Sequence, residues 1–579
     1  MDEDSESYRA KKQKVLDTKA EMTLGSLANS GHVVEPGVGS KGNISSSSVI
    51  PTHNEQKYDR QLRLWASSGQ QALQDSHVLL IGASATGCEV AKNLILAGIG
   101  RLTVLDDSLV TDEDVQTNFF LNGDGDVGKR KSDCVVPLLN ELNPDITCTS
   151  VSNNNSNSIE IKDLNLSQFN LIVASGLGPS HLMILNSELR QLNIPLIVVD
   201  SIGFYGYLRL CLAPSHEIVE THPDSLVDLR VDSPWPELVE HAKKYQDLDK
   251  FTSVEIDHIP FIVILINALD EWNKIHITPP SSYEEKSNFK KFIMDIARNR
   301  ADTATAPDYE NFEEAVASVY KLFQSSQTLP SELKRVLYDA KTTSEFNKSP
   351  FWTVAAAVRI FYEQPDVDGK PRRQLPLTGV LPDMKSSTDW FVALQQVYRD
   401  KSELDIAEIR SIITNLWTSS PTEHENNLLH LSDEYITTFC KNARYIRVVS
   451  GSPLEYATAG IDTQSIDPDD LHIYLAIRAY KLFLESTSNT SPPSGDEDLT
   501  EQLNAVTSQL SNTPTDAITK STDVLNEILR AAGELYNSAS FMGGIGAQEA
   551  IKIITHQYVP LNNTLVYDGI TSRIGTFYL

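Results

Sequence analysis

Cysteine is scarce. Cys88, Cys134, Cys148, Cys211 and Cys440 are five among 579 residues, odd in number and without a Cys-x-x-Cys pair. That scarcity argues against a disulfide framework or a four-cysteine zinc centre and favours a reducing compartment, so the cytoplasm is the expected location. Long apolar runs are missing too, and no membrane span is expected. The opening MDEDSESYRAKKQK has no apolar segment of the secretory-leader kind. Its cluster Lys11-Lys12-Gln13-Lys14 reads either as a targeting signal, which would add the nucleus, or as solvated charge. Positive charge is also short: 49 Lys and Arg face 78 Asp and Glu, a formal net charge of −29. Such an excess repels a phosphate backbone, so nucleic acid is not an expected partner. It suits either a partner with a basic face or plain solubility.

What is present is the composition of a globular protein, 40% hydrophobic and 8% aromatic, in a chain long enough for two or three cores. Residues 1–54 are polar, without sustained apolar period, and read as a disordered tail. From Ser76 onward short buried strands (HVLLIGA, RLTVLDD, FNLIVAS, IPLIVVDS) alternate with helical stretches (TGCEVAKNLILAGI, GKRKSDCVVPLLNELNP). That alternation predicts an α/β fold with a doubly wound, Rossmann-like parallel sheet over residues 55–214. Residues 215–530 change character: Phe312, Val316, Val319, Tyr320 and Phe323 keep helical spacing, as do Ile406, Ile409, Ile413 and Leu416. A Pro/Ser/Asp-rich stretch over 486–500 reads as a loop in that region. Then ASFMGGIGAQEAIKIITHQYVPLNNTLVYDG returns to glycine-rich turn, helix and strand over 531–579. One α/β domain interrupted by a large, mainly helical insertion accounts for this order.

The chemistry-bearing stretch is Gly82-Ala83-Ser84-Ala85-Thr86-Gly87. In a nucleotide-binding strand–turn–helix the glycines bring the backbone close to phosphates at a helix N-terminus. Gly82 and Gly87 remain, Ser84 fills the close-approach position, and Asp106 ends the next strand where a carboxylate could hold ribose hydroxyls. A tight turn without ligand is the other reading. Cys440, in ITTFCKNARYI, reads as a core cysteine, with Lys441 and Arg444 as the neighbours that would lower its pKa were it reactive.

KYDRQLRLW, the glycine turn, DVQTNFFL, VGKRKSD and FMGGIGAQEAIKIIT, in this order, resemble the adenylation domain of ubiquitin-like-modifier-activating enzymes. In that family ATP and magnesium adenylate the modifier's C-terminal glycine, a cysteine takes the modifier as a thioester, and domains work in pairs. The resemblance implies that this chain is the inactive partner. Asn118-Phe119-Phe120-Leu121 has apolar side chains where active members carry a phosphate-binding arginine. Ala174-Ser175-Gly176-Leu177-Gly178 lacks the aspartate that serves magnesium. Lys131 matches a phosphate-contacting lysine; with Gly82, Gly87 and Asp106 it would be vestigial. The insertion would correspond to the catalytic-cysteine domain without its cysteine. Arg60, in Tyr58-Asp59-Arg60-Gln61, falls where the family donates an arginine across the dimer to the partner's ATP, on a helix expected to pack Leu62, Leu64 and Trp65 inward.

Within the family, IPFIVILINALDEW, FEEAVASVYKLF, SPFWTVAAAVRIF and LPLTGVLPDMKSSTDWFVALQQVYRDK resemble the regulatory subunits that serve the Nedd/Rub modifier. The implied partners are a catalytic subunit and the modifier itself. The implied cofactors, ATP and magnesium, lie in the catalytic subunit, with none on this chain. Gly379, Pro382, Asp383 and Met384, in GVLPDM, form either a partner-contact loop or an internal helix connection. Alternatives are a SUMO-pathway regulatory subunit, a stand-alone adenylating enzyme and a dinucleotide-binding protein.

Overall fold

The computed structural model describes residues 52–151, 164–212, 215–223, 228–298 apart from 277, 309–365 apart from 324, 369, 372–418, 431–452, 454, 466–487 and 517–579 apart from 532. Of the unit formed by residues 1–57, the one described element is a short helix, His53–Lys57, so the polar tail and the 486–500 loop fall almost wholly outside the described residues. Residues 58–579 form the second unit.

Its centre is an eight-stranded sheet. Strands β1 (His77–Ile81), β2 (Arg101–Leu105), β3 (Thr147–Ser150), β4 (Leu171–Ala174) and β5 (Leu196–Ile202) run parallel in the order β3-β2-β1-β4-β5. The all-parallel expectation stops there. Strand β6 (Tyr205–Cys211) follows β5 through a two-residue hairpin, which can only join antiparallel neighbours. Two strands from the chain's end then continue the sheet antiparallel, in the order β6-β9-β10. These are β9 (Thr564–Asp568) and β10 (Arg573–Phe577).

Every residue of β1, β4, β5 and β6 is buried, as continuous apolar runs covered on both faces should be. On one face lie the helices Ala85–Ala97, Lys131–Leu142 and Tyr536–Thr555. The glycines of FMGGIG sit inside the last of these helices rather than in a turn, and they set its approach. A Cβ on Gly543 would stand 2.4 Å from the Glu89 Cβ, and one on Gly546 3.1 Å from Val90 Cγ2. On the other face lie Pro179–Leu192 and, unexpectedly, Pro468–Thr487 and Ala517–Ala531. Leu471, Leu475, Ala479, Leu525 and Ile528 bury against the sheet's own side chains. The α/β layer therefore regains the chain near Pro468, ahead of the boundary expected at residue 531.

The insertion carries two helical cores. The first gathers Phe261, Ile262, Leu265, Phe289, Ile293 and Phe312; the second gathers Trp352, Phe361, Ile409, Phe439 and Cys440. One long helix, Thr388–Thr418, serves both, giving Leu394 and Tyr398 to the first and Ile406, Ile409 and Ile413 to the second. A small antiparallel pair, β7 (His216–Val219) with β8 (Ile446–Val449), lies inside the expected helical region. The periodic stretch around Phe312 forms a helix, Glu310–Ser318, and tightens into a 3₁₀ turn over Val319–Phe323, which leaves Tyr320 54% exposed.

Candidate functional site

The β1 turn is built as its glycines require. Gly82 has φ +89°, and a Cβ there would lie 1.9 Å from the Ser175 carbonyl oxygen; a Cβ on Gly87 would lie 2.5 Å from the Gly82 oxygen. Ser84 caps the Ala85–Ala97 helix: its Oγ accepts from Gly87 N at 3.1 Å and shares a 2.7 Å hydrogen bond with Ser175 Oγ.

The helix N-terminus already holds a carboxyl group of this chain. Glu534 accepts from Ala85 N at 2.7 Å through one oxygen, and from Thr86 N at 3.0 Å and Thr86 Oγ1 at 2.6 Å through the other. Backbone pairing puts it there. Gly203, just past β5, donates its N–H to Gly533 O at 2.7 Å and forms an isolated parallel bridge with Glu534. Burial pushes the Glu534 carboxyl above its usual range, against the pull of Thr86 and Ala85, and nearby Asp200 adds to the rise. The helix dipole and two free N–H groups attract a carboxylate as they would a phosphate.

The surrounding charges are also paired inside the chain. Asp106 Oδ2 accepts from Ala83 N at 2.7 Å, and its Oδ1 from Ser108 N at 2.9 Å and Ser108 Oγ at 2.6 Å, so both oxygens close the turn. Lys131 Nζ pairs with Asp114 at 2.7 Å. Burial pushes the Asp114 carboxyl up, and the Lys131 ammonium and Thr111 more than reverse it, leaving it below the usual carboxylate range. Lys481 pairs with Asp200, both buried, and Asp200 also accepts from Gly176 N at 2.7 Å. Beside them a cavity of about 430 Å³ is lined by Ser84, His181, Asp200, Tyr480, Lys481 and Glu534.

In the stretch Asn118-Phe119-Phe120-Leu121, Asn118 is buried and stitches the turn, donating to Ala83 O at 3.2 Å while Phe120 N donates to its Oδ1 at 3.0 Å. Phe119 is 74% exposed, its ring 6.1 Å from that of Tyr536. Among the described residues no cluster of three His, Cys, Asp or Glu is placed to hold a metal ion.

Arg60 contrasts with all of these. It is exposed on the Asp59–Asp75 helix and makes no ion pair among the described residues. The helix is fixed by Tyr58, whose buried hydroxyl accepts from Asn143 Nδ2 at 3.1 Å, and by Gln70, which donates to Ala97 O at 3.2 Å. Trp65 packs inward as expected, but Leu64 is 52% exposed. The helix breaks at Trp65–Ala66, with Ala66 at φ +54°, and the break turns Leu64 out of the packed stripe.

Gly379 has φ +69° and its carbonyl accepts from Gln395 Nε2 at 2.9 Å; Met384 packs on the first helical core. Pro382 is half-buried, and Asp383 is the exposed member of the four. The Cys440 thiol is buried and pushed up to about 12 by that burial, with Asp405 adding to the rise. The cation opposing this is Arg410, not the expected Lys441 or Arg444. Sequence reasoning missed Glu534 and the Asp200–Lys481 pair. The one available signal was a lone acidic residue just ahead of the final α/β helix.

Together the sheet and this turn define a class, an adenylation-type α/β domain with its phosphate cradle closed by the chain's own carboxylate. A model of the ThiF family matches residues 58–579. The NEDD8-activating enzyme E1 regulatory subunit of Xenopus laevis is 36% identical, covering 91% of this chain and 98% of that protein. Its counterpart in Danio rerio is 35% identical over 91% and 99%. The solved structure of E. coli MccB with succinimide aligns with 29% of this chain and 52% of its own, at 21% identity and a TM-score of 0.24, an overlap too slight to bear on function. The chain belongs to the ThiF family and, within it, to the regulatory subunits of the NEDD8-activating enzyme E1.

Proposed function

We propose that this chain is the non-catalytic half of a heterodimer that activates the NEDD8 (Nedd/Rub) modifier in an ATP-dependent reaction. The chain holds its catalytic partner in a competent shape and supports adenylation and thioester formation there. ATP and magnesium belong to the partner subunit, in the cytoplasm and nucleus. The observation that carries this reading is Glu534 on the N–H groups of Ala85 and Thr86. A polyphosphate at that helix N-terminus would find both donors already taken by a buried side chain of this chain.

Arg60 is the residue we assign to chemistry in trans. A guanidinium stays charged at every physiological pH and offers a planar fork to phosphate oxygens. On this chain it is anchored at its base by Tyr58 yet left exposed and without a carboxylate among the described residues. The exposed Phe119–Tyr536 pair and the Gly379–Met384 loop are candidate partner contacts, the loop through Asp383.

The test is ATP–pyrophosphate exchange with the modifier present, run on this chain alone, with the catalytic partner, and as Arg60→Ala with that partner. The expected outcome is no exchange alone, strong exchange in the pair, and a rate about 100-fold lower for the variant pair, as for loss of one transition-state charge contact. Arg60→Ala itself should fold within about 0.5 kcal/mol of the parent, since an exposed unpaired side chain contributes little to stability. Exchange by the chain alone would sink the inactive-site reading. An unaffected variant pair would remove Arg60 from the chemistry.

A further inference from the structure

A cavity of about 610 Å³ lies in the insertion between its two helical cores, away from the turn that Glu534 closes. One wall includes Leu229 and Val231 from the first core; the other includes Leu375, Cys440 and Ala443 from the second. Its volume falls in the range of small-molecule sites, about 300–1,000 Å³.

Its charge runs against that of the chain. In a protein with net charge −29, four cations (Arg230, Lys321, Lys441, Arg444) and two carboxylates (Asp228, Asp232) line this one space. Both carboxylates are engaged. Asp232 Oδ2 accepts from Ser326 N at 2.8 Å and from Ser326 Oγ at 2.9 Å, and Asp228 accepts from Arg230 N at 3.3 Å and faces its Nε at 3.5 Å. Lys321 and Arg444 have no carboxylate within 4 Å among the described residues. Lys321 lies over the Phe261 ring at 5.4 Å, and Arg444 makes a single long contact with Thr328 O at 3.5 Å. Burial pushes the Lys321 ammonium below its usual range, so its charge is partly desolvated without a counter-ion.

Arg230 makes the cavity wall a built feature. It is 3% exposed, its Nε faces Asp228 without a hydrogen bond, and its backbone sits at φ +48°, a left-handed conformation that strains a non-glycine residue. Its guanidinium is held in place by Leu375 O and by Gln374 Oε1 at 3.3 Å. This buried, strained arginine, its Nε facing Asp228, shares the cavity lining with two cations that have no carboxylate within 4 Å among the described residues, an excess of fixed positive charge that suits an anion.

We propose that this cleft binds a small-molecule phosphate monoester, its phosphate held by Lys321, Arg444 and Arg230 and its organic part against Leu229, Leu329 and Leu375. The dianion supplies the counter-charge that the chain withholds, and the apolar walls take a ring or short aliphatic body.

The test uses the full chain with its catalytic partner, titrated calorimetrically with phenyl phosphate, inorganic phosphate and phenol at constant ionic strength. Saturable binding of phenyl phosphate is expected, weaker for inorganic phosphate and absent for phenol. Lys321→Gln and Arg444→Gln should each weaken it about tenfold or more, as for loss of one charge-assisted hydrogen bond. The partner's own phosphate affinity is common to all samples and cancels in that difference. Both residues are partly exposed, so either variant alone decides the matter if the other misfolds. Equal binding in parent and variants, or no saturable heat at millimolar phenyl phosphate, would overturn the proposal.

Discussion

The α/β domain and the helical insertion treat charge in opposite ways. Around the turn at Gly82, the groups the sequence marks for phosphate chemistry are matched by partners from the same chain: Glu534 on the helix N-terminus, Asp106 on Ala83 and Ser108, Asp114 on Lys131; Lys481, which the sequence does not mark, pairs with Asp200 beside them. In the insertion, Lys321 and Arg444 line a cleft and have no carboxylate within 4 Å among the described residues. A charge placed on a surface or cleft wall without a partner contributes nothing to stability, whereas an internal pair holds distant segments in register. The lesson is that a turn of the nucleotide-binding kind keeps its geometry where its polar atoms have structural partners in the same chain.

That comparison breaks first at Gly82. If the turn is now structural, Gly82→Ala should be the most damaging change, since the new Cβ meets the Ser175 oxygen at 1.9 Å and φ is +89°. A loss of about 3 kcal/mol or more is expected in urea unfolding. Gly176→Ala is the control. Its φ is also positive, +75°, but a Cβ there has nothing within 4 Å, so it should cost about 1–2 kcal/mol from the backbone alone. Equal losses would mean that the close packing of the turn is not what matters.

Glu534→Ala sharpens it. The change strips the acceptor from two backbone N–H groups and the Thr86 hydroxyl, at a cost of about 2–3 kcal/mol. It also reopens the cradle, so added sulfate should raise the melting temperature of the variant more than that of the parent at equal ionic strength. Identical sulfate responses would show that something other than Glu534 keeps anions out.

How much of this was legible follows from the kind of signal involved. Four of the five parallel strands were readable because strands buried on both faces are continuous apolar runs such as HVLLI and LIVA, whereas β3, TCTS, buries only Cys148 fully and offers no such run. Strand β6 was not, since YGYLRLC mixes Arg209 into the run; that arginine is buried because Asn563 Oδ1 and Thr564 Oγ1 accept from it at 2.6 and 2.7 Å, partners that come from β9's end of the chain. Glu534 was illegible for the same reason: it meets Ala85 across 449 positions, and no local spacing encodes that meeting. The helix Pro468–Thr487 falls inside the mostly helical stretch read as the insertion, and helical character alone does not say which core a helix covers. Leu64 was misjudged by reading one unbroken helix through a kink at Ala66.

The two regions meet at His216, and there the expected effect is smallest and depends on pH. His216 opens β7 on the insertion side, and its ring stacks at 4.5 Å on that of His556, which ends the last helix of the α/β domain. His556 Nδ1 donates to Glu217 O at 2.7 Å, while the His216 Nε2 is buried without a partner, so a proton on the His216 ring finds nothing to stabilise it. Burial, with His556 adding to it, pushes the His216 pKa down to about 3. The folded chain therefore keeps this ring neutral where the unfolded chain protonates it, near the ordinary 6.5. Between those values the unfolded state binds more protons, and stability falls as pH drops, by about 1.4 kcal/mol per pH unit from this ring alone. His216→Phe keeps the stack and removes the titration. From about pH 6.5 to about pH 5 the parent should lose roughly 2 kcal/mol more than the variant in denaturant unfolding. Parallel pH profiles would mean that the junction opens before the rest unfolds, and that the insertion and the α/β domain are less firmly joined than the stacked histidines suggest.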